Sequence, residues 1–256
     1  MKKLWLTFDI EEFDLLKRYN NKESIYEISK NGTINILNLL KETNIQATFF
    51  VTLSFAKKYP ELILKIKEDG HEIGSHGYQH SHDYSKLKNP IKYLKIAREE
   101  LEKITKTRII GFRAPNLKAP KYSIIKKAGF EYSSNLHPTF IPGYYNNLTK
   151  PTKPFIKNGI KEYPITVFPY LRLPLFWIAF RNFPLLYSKY ITNRCNNYAC
   201  LVFHSWEFVN IEKFDLPRFI KRNTGEKLNL KLNNYINWCI KNNFEFKTVS
   251  DYLITS

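Results

Sequence analysis

Four of the six histidines lie close together, between positions 71 and 82. The zinc-binding pattern His-Glu-x-x-His does not fit them, because position 75 is a serine and His71 and His76 are five residues apart. His76 and His80 form a better pair, since side chains four residues apart lie on one face of a helical turn. Two imidazoles and a carboxylate suit a divalent metal with open positions. Solvated histidines in a polar loop are the alternative.

Carboxylates that could complete such a site follow the first apolar run of the chain. Asp9 and Glu11 lie in the segment Thr7–Asp14, directly after the run Leu4–Phe8. In a strand, alternation places Asp9 and Glu11 on the same side. They would also lie at the strand end where barrel enzymes place their active sites. A solvated acidic turn is the alternative.

The elements that would position these residues can be predicted from the hydrophobic pattern. Short β-branched or aromatic runs alternate with segments of helical period, which predicts βα units around a mostly parallel sheet. The predicted strands are Leu4–Asp9, Ala47–Val51, His71–His76, Arg108–Phe112, Cys200–Phe203 and Glu245–Val249. The predicted helices are Thr33–Glu42 with Thr33 as its cap, Pro60–Asp69, Pro90–Thr105, Pro120–Ala128 and Leu228–Asn242. Because no linker or repeat interrupts this pattern, we expect residues 1–256 to form one domain.

The composition is strongly basic, with 40 Lys and Arg against 23 acidic residues and a net charge of +17. This charge favours contact with phosphates, anionic glycans or an anionic membrane surface. A bias toward Lys, Asn and Ile of nucleotide origin explains it about as well. No nucleic-acid motif accompanies the charge, and we expect no nucleic-acid partner.

Three cysteines, without the spacing of a zinc site, are expected to be reduced and buried. The first apolar run ends at a carboxylate after only five residues. We therefore expect no export signal and a cytoplasmic location.

The segment Val167–Tyr187 is the most apolar and aromatic part of the chain. Arg172 and Arg181, together with three prolines, argue against a membrane span. We expect the segment to cover the barrel, and contact with a membrane surface is the alternative.

Five segments, in order along the chain, resemble the motifs of the polysaccharide deacetylases, also called carbohydrate esterase family 4 or the NodB-homology domain. They are Thr7–Glu11, Ser75–His80, Gly111–Asn116, Gly129–Ser134 and Leu201–Glu207. The resemblance implies an α/β fold, a distorted (β/α)7 barrel, with Zn²⁺ or another divalent ion in the site. The roles it implies are base for Asp9, metal ligands for Glu11, His76 and His80, orientation of the base for Arg113, and catalytic acid for His204.

The first segment departs from the usual motif, because Ile10 separates two acids that are commonly adjacent. Glu12 is therefore an alternative ligand, and we favour Glu11 because it shares the strand face of Asp9. In the third segment Asn116 replaces an aromatic residue. The family uses a backbone N–H there, which any residue except proline provides.

The fourth segment lacks the aspartate that usually precedes its Ser-Ser pair, here Ser133 and Ser134, and that normally supports the catalytic histidine. Its loss predicts a lower pKa and a looser orientation for His204, unless Glu207 or another carboxylate takes its place.

The resemblance implies metal-assisted hydrolysis of an acetyl group, most of all an N-acetyl group, on a sugar or glycan. With a cytoplasmic location, we expect the substrate to be a glycan precursor. One form of this hypothesis places the precursor on a lipid at the inner membrane face. A deformylase or amidase with the same site and a non-catalytic glycan- or membrane-binding module are the alternatives.

Overall fold

The computed structural model of the protein describes residues 2–15, 25–195 and 198–254. The strands are β1 Lys2–Ile10, β2 Thr48–Val51, β3 Glu72–Ser75, β4 Gly111–Phe112, β5 Tyr132–Ser133, β6 Phe140–Ile141, β7 Tyr145–Asn146, β8 Phe155–Lys157, β9 Ile160–Glu162, β10 Tyr198–His204 and β11 Phe244–Phe246. The α-helices are α1 Ile25–Thr43, α2 Leu53–Lys58, α3 Pro60–Glu68, α4 Pro90–Thr105, α5 Tyr122–Lys127, α6 Trp177–Asn182, α7 Leu185–Arg194, α8 Arg218–Lys221, α9 Glu226–Lys241 and α10 Val249–Ile254.

The main sheet has the strand order β10-β1-β2-β3-β4-β5-β9-β8, and β11 also pairs with β1. From β10 to β9 every neighbouring pair is parallel, and β8 is antiparallel to β9. Parallel strands joined by helices end at one common edge, so the residues that follow β1, β3, β4 and β10 converge there. The predicted α/β class and distorted barrel are confirmed.

Strand β1 lies between β10 and β2, and its two faces contact different apolar layers. Leu4, Leu6 and Phe8 lie in the core cluster that packs beneath the helices. Trp5 faces the other way, into a cluster with Phe50 and Tyr132. Because side chains alternate along a strand, Thr7, Asp9 and Glu11 follow Trp5 along the inner side, toward the carboxyl edge.

Several predicted boundaries are wrong. The first helix extends from Ile25, and Thr33 is not its cap but lies inside it, where its hydroxyl donates to the Ser29 carbonyl at 2.8 Å. A helical Thr commonly makes this bond with the residue four positions earlier. Strand β4 covers only the last two residues of the predicted Arg108–Phe112 strand. At the other end, Val249 begins helix α10 rather than ending a strand.

The aromatic segment Val167–Tyr187 packs on the barrel in part. The ring centroid of Phe180 lies 5.1 Å from that of Phe203 on β10 and 5.3 Å from that of Tyr235 on α9. Other large side chains of the segment are exposed, with Tyr170 85% and Leu186 75% accessible. None of the described helices is long and apolar enough to span a membrane.

The three cysteines, Cys195, Cys200 and Cys239, are buried and form no disulfide. This agrees with the prediction of reduced, buried thiols.

Candidate active site

Asp9 ends the inner face of β1 beside a buried arginine. Nη1 of Arg113 lies 2.9 Å from Asp9 Oδ1 and also donates to the Thr7 hydroxyl at 2.9 Å. The Arg113 side chain is fully buried, and that of Asp9 is only 6% exposed. A charge-assisted hydrogen bond in such surroundings fixes the direction of the carboxylate.

Arg113 is itself held from its far side. Its Nε donates to the carbonyl oxygen of Ser134 at 3.0 Å, and Nη2 donates to the Ser134 hydroxyl at 2.9 Å. The guanidinium also lies 4.3 Å from the centroid of the Phe50 ring. The planar fork therefore has contacts on its edges and one face, and it presents a fixed Nη1 to Asp9.

Glu11 meets His76 and His80 at the mouth of the barrel. Its Oε2 lies 3.0 Å from Nε2 of His76 and 3.1 Å from Nε2 of His80. One ligand atom from each residue lies within 4.8 Å of the others. Two imidazole nitrogens and one carboxylate oxygen form a donor set that suits Zn²⁺ and related divalent ions and leaves coordination positions open. The residues therefore fit a divalent metal.

The spacing of the two histidines predicted that they share a helical turn, and this prediction is wrong. They follow β3 in a loop, where their ring centroids are 6.2 Å apart and their planes differ by 22°. Gly77 between them has φ +81°, and a Cβ there would lie 2.5 Å from the Tyr84 hydroxyl oxygen. Only glycine adopts this tight turn against Tyr84 at little cost, and it lets the loop return His80 toward Glu11.

The charges in this group stabilise one another. Burial would raise the pKa of Glu11, but the positive charges of His80, His204 and His76 outweigh it and lower that pKa to about 2. Burial would lower the pKa of His80, and the carboxylates of Glu11 and Asp14 raise it to about 9. In the metal-free protein, a proton on imidazole therefore balances the charge of the Glu11 carboxylate. A bound cation would replace that proton.

Glu12 points elsewhere. Its carboxylate accepts hydrogen bonds from Thr52 at 3.1 Å, from Ser54, and from the backbone N–H of His80 at 3.4 Å. Burial raises its pKa. Glu12 therefore ties the histidine loop to the start of α2, while the carboxylate that meets both imidazoles belongs to Glu11.

His204 ends β10, next to β1, and its Cα is the register partner of that of Asp9. Its Nδ1 lies 3.1 Å from Glu207 Oε1, which also accepts the His204 backbone N–H at 2.7 Å. Burial would lower the pKa of His204, but the negative charges of Glu11 and Glu207 raise it. The sequence predicted a lower pKa unless another carboxylate replaced the missing aspartate, and Glu207 is a carboxylate in contact with His204.

Ser133, in the segment that lacks the aspartate, does not contact His204 among the hydrogen bonds of the described residues but bonds to another carboxylate. Its hydroxyl donates to Glu162, whose Oε1 accepts the backbone N–H groups of Asn135 and Leu136, each at 2.7 Å. Glu162 is fully buried. This carboxyl group shapes the loop that follows β5, and the adjacent Ser134 holds Arg113. Sequence reasoning missed Glu162, because it lies 29 residues after Ser133 in an unremarkable strand.

Aromatic rings enclose the site near His204. The Trp206 indole N–H donates to Glu11 Oε1 at 3.3 Å, and its ring stacks on His204 with centroids 5.2 Å apart. Trp177 on α6 makes an edge contact with His204 at 5.0 Å. The sequence showed that the segments containing Trp177 and Trp206 are aromatic, but it did not show which rings would contact His204.

Asn116 adopts φ +52° and ψ +21° in the turn after β4. Asparagine tolerates this left-handed conformation better than an aromatic residue does. The local backbone thus accommodates the departure from the family motif.

A sequence model of the family described as "Polysaccharide deacetylase" matches residues 1–133, slightly more than half of the chain. The chain belongs to this family, as its five segments predicted. The family is one of deacetylases, which are hydrolases.

Among curated proteins, the peptidoglycan-N-acetylmuramic acid deacetylase PdaA of Bacillus subtilis is 37% identical over 103 residues, which are 38% of this chain and 39% of that protein. A chitooligosaccharide deacetylase of Azorhizobium caulinodans is 32% identical over 102 residues, covering 37% and 49% of the two chains. The alignments thus span less than half of these relatives.

Among solved structures, a Mycobacterium smegmatis protein described as belonging to the polysaccharide deacetylases superposes with a TM-score of 0.68. The two chains are 18% identical over 98% of this chain and 88% of the other. This likeness supports the fold.

Proposed function

We propose that the protein is a metal-dependent hydrolase that removes an acetyl group from a sugar. The favoured target is the N-acetyl group of an acetamido sugar. The observation that carries the proposal is the convergence of three units at the carboxyl edge of the sheet. They are the Glu11-His76-His80 group, the Asp9–Arg113 pair and the His204–Glu207 pair. The glycan substrates in the names of the relatives support the substrate class.

In the proposed mechanism Glu11, His76 and His80 would hold a divalent metal ion, with Zn²⁺ as the preferred ion. A divalent ion supplies Lewis-acid polarisation of the acetyl carbonyl group and lowers the pKa of water. Asp9, aimed by Arg113, accepts the proton of the attacking water. His204 then donates a proton from Nε2 to the departing nitrogen, while Glu207 holds Nδ1.

The test is release of acetate from a panel of N-acetylated oligosaccharides and lipid-linked acetamido sugars. Wild-type protein stripped with a chelator should be inactive, and added Zn²⁺ should restore acetate release. Turnover by metal-free protein would contradict the metal-dependent mechanism. Release of formate but no acetate would favour the deformylase alternative, and no acyl release from any substrate would favour a binding module.

Peripheral contact with an anionic membrane is a further part of the proposal, and it would bring the site to a lipid-linked substrate. It is supported by the net charge of +17 and by exposed apolar side chains near α7, among them Tyr170, Leu171 and Leu186. Salt screens the attraction between surface charge and such a membrane. The cytoplasmic location expected from the sequence stays a prediction.

Co-sedimentation with vesicles containing phosphatidylserine tests this contact. We expect binding at low salt that weakens at high salt, and weaker binding of a Leu171→Ser/Leu186→Ser variant. An Ile156→Ser variant, which removes an exposed apolar side chain of β8, serves as the matched control. Absence of binding at low salt would exclude the membrane contact and leave the hydrolase proposal intact.

A further inference from the structure

We propose that Arg181 positions His204 through Glu207, so that helix α6 forms part of the leaving-group end of the site. Arg181 lies in the aromatic segment Val167–Tyr187, outside the five segments that resemble the family motifs. The inference rests on the proposed function, in which His204 is the acid.

The two oxygens of Glu207 have different partners. Oε1 accepts from the His204 backbone N–H and lies 3.1 Å from His204 Nδ1. Oε2 lies 3.0 Å from Nε of Arg181. The side chains of Arg181 and Glu207 are both fully buried. The carboxylate therefore bridges the arginine and the histidine.

The pairing of Arg181 with Glu207 is electrostatic. Among the described residues, its guanidinium nitrogens make no directed hydrogen bond, although all three are buried. Removing the guanidinium would leave Glu207 as a buried carboxylate without a counter-charge, which is strongly unfavourable. Arg181 therefore holds Glu207 where its Oε1 faces His204 Nδ1 and fixes the ring.

The same two aromatic rings contact both ends of this bridge. The Arg181 guanidinium lies 5.2 Å from the centroid of Trp177 and 5.9 Å from that of Trp206. The His204 ring contacts Trp177 at its edge and stacks on Trp206. A displacement of Arg181 would therefore disturb the indoles that confine the imidazole, as well as the ion pair with Glu207.

The backbone of Arg181 is anchored independently of its side chain. Its carbonyl oxygen accepts from Asn223 at 3.2 Å and from Lys231 at 3.3 Å. The neighbouring Phe180 packs against β10 and α9. Since these contacts do not involve the guanidinium, a side-chain substitution should leave α6 in place.

Two substrates distinguish positioning of the acid from general damage. Hydrolysis of an acetamido sugar expels a strongly basic nitrogen, which must be protonated as it leaves. Hydrolysis of 4-nitrophenyl acetate expels a weakly basic phenolate, which needs no proton. A residue that acts through His204 should affect the first reaction far more than the second.

We expect Arg181→Met to lower kcat for an N-acetylated oligosaccharide by about 100-fold or more. Its kcat for 4-nitrophenyl acetate should stay within a few-fold of wild type. Arg181→Lys, which retains the charge, should restore part of the loss. If Arg181→Met does not fold, Glu207→Gln, which keeps the shape of the bridge, should give the same selective loss.

The matched control is Arg98→Met. Arg98 also pairs with a glutamate, since its Nη1 lies 2.8 Å from Glu102 Oε1, but both residues lie on α4. This variant should change neither reaction. An equal loss of both activities in the Arg181 variants, or no loss, would overturn the inference while wild-type acetate release still supported the proposed function. If wild-type protein releases no acetate from any sugar, the proposed function itself fails.

Discussion

Glu11 and Glu72 lie at opposite ends of the parallel sheet. Glu11 follows β1 at the carboxyl edge, whereas Glu72 begins β3 at the amino edge. Glu11 meets two imidazoles, and their charge, with that of His204, lowers its pKa to about 2. Glu72 accepts hydrogen bonds only from neutral groups among the described residues. These are the hydroxyls of Thr48 and Tyr132, each at 2.7 Å, and the backbone N–H of Ser250 at 3.1 Å.

Burial acts on both carboxyl groups in the same direction, toward a higher pKa. The partners decide the outcome. The hydrogen bonds at Glu72 do not offset burial, and its pKa is raised. A buried carboxyl group alone is therefore a weak sign of a functional site. A buried carboxyl group surrounded by side chains that can bind a proton or a metal ion is a strong sign.

The largest effect should come from removing an imidazole that meets Glu11. His76→Ala should abolish stoichiometric Zn²⁺ binding and lower acetate release by at least about 100-fold, because even the loss of an outer contact of a metal site costs about 10–100-fold. Elemental analysis after dialysis, with circular dichroism as a test of folding, measures this. His82→Ala is the matched control, since His82 lies in the same loop and packs on Tyr93 at 4.9 Å. Equal loss of metal in both variants would contradict the assignment.

A smaller effect is expected when the charge of Asp9 is removed but its shape is kept. Asp9→Asn should lower kcat by about 10²–10⁴-fold, as for the loss of a general base, while Zn²⁺ remains bound. Arg113 would lose its buried counter-charge, which should cost about 3–5 kcal/mol in the free energy of unfolding.

Asp69→Asn provides the comparison for this variant. Asp69 forms an ion pair with Lys65 at 3.0 Å, and both side chains are largely accessible. Its loss should change stability by less than about 1 kcal/mol and leave kcat unchanged. Urea denaturation and steady-state kinetics on both variants measure the two effects. Unchanged kcat in Asp9→Asn would contradict its role as the base.

The placement of Asp9 and Glu11 on the inner face of β1 was predictable because it depends only on local backbone geometry. The backbone geometry of a strand alternates side chains regardless of the rest of the fold, so Asp9 and Glu11 could be placed together. The pairing of His76 with His80 followed from an incorrect helical turn. The loop conformation depends on Gly77 against Tyr84, and neither the left-handed turn nor that contact leaves a periodic signal in the sequence.

The Arg181–Glu207 pair could not be predicted for a related reason. The two residues come from distant segments, and only the packing of α6 against β10 brings them together. In the sequence, Arg181 served only as a charge that argued against a membrane span. An arginine buried among aromatic residues needs an acid beside it, but the sequence shows neither that Arg181 is buried nor which acid it meets.

The smallest effect should come from Glu72→Gln, at the amino edge of the sheet. The amide oxygen can accept from Thr48 and Ser250, and its NH₂ group can donate to the Tyr132 hydroxyl, so the contacts survive. Because the folded-state pKa of Glu72 is raised from its ordinary 4.5, the folded protein holds this proton more tightly than the unfolded chain does. Its stabilising contribution is complete below the unfolded pKa and is lost as pH rises through the folded pKa.

The stability of wild type relative to Glu72→Gln should therefore fall as pH rises from the ordinary pKa of 4.5 upward, through the raised folded-state pKa. Paired urea titrations across this range measure the difference, in which carboxyl groups common to both proteins cancel. Acetate release should be unchanged, because Glu72 lies at the edge away from the site. A stability difference that grows with pH would mean that Glu72 is ionised against a positive partner, as Glu11 is, and the contrast between the two ends of the sheet would then be wrong.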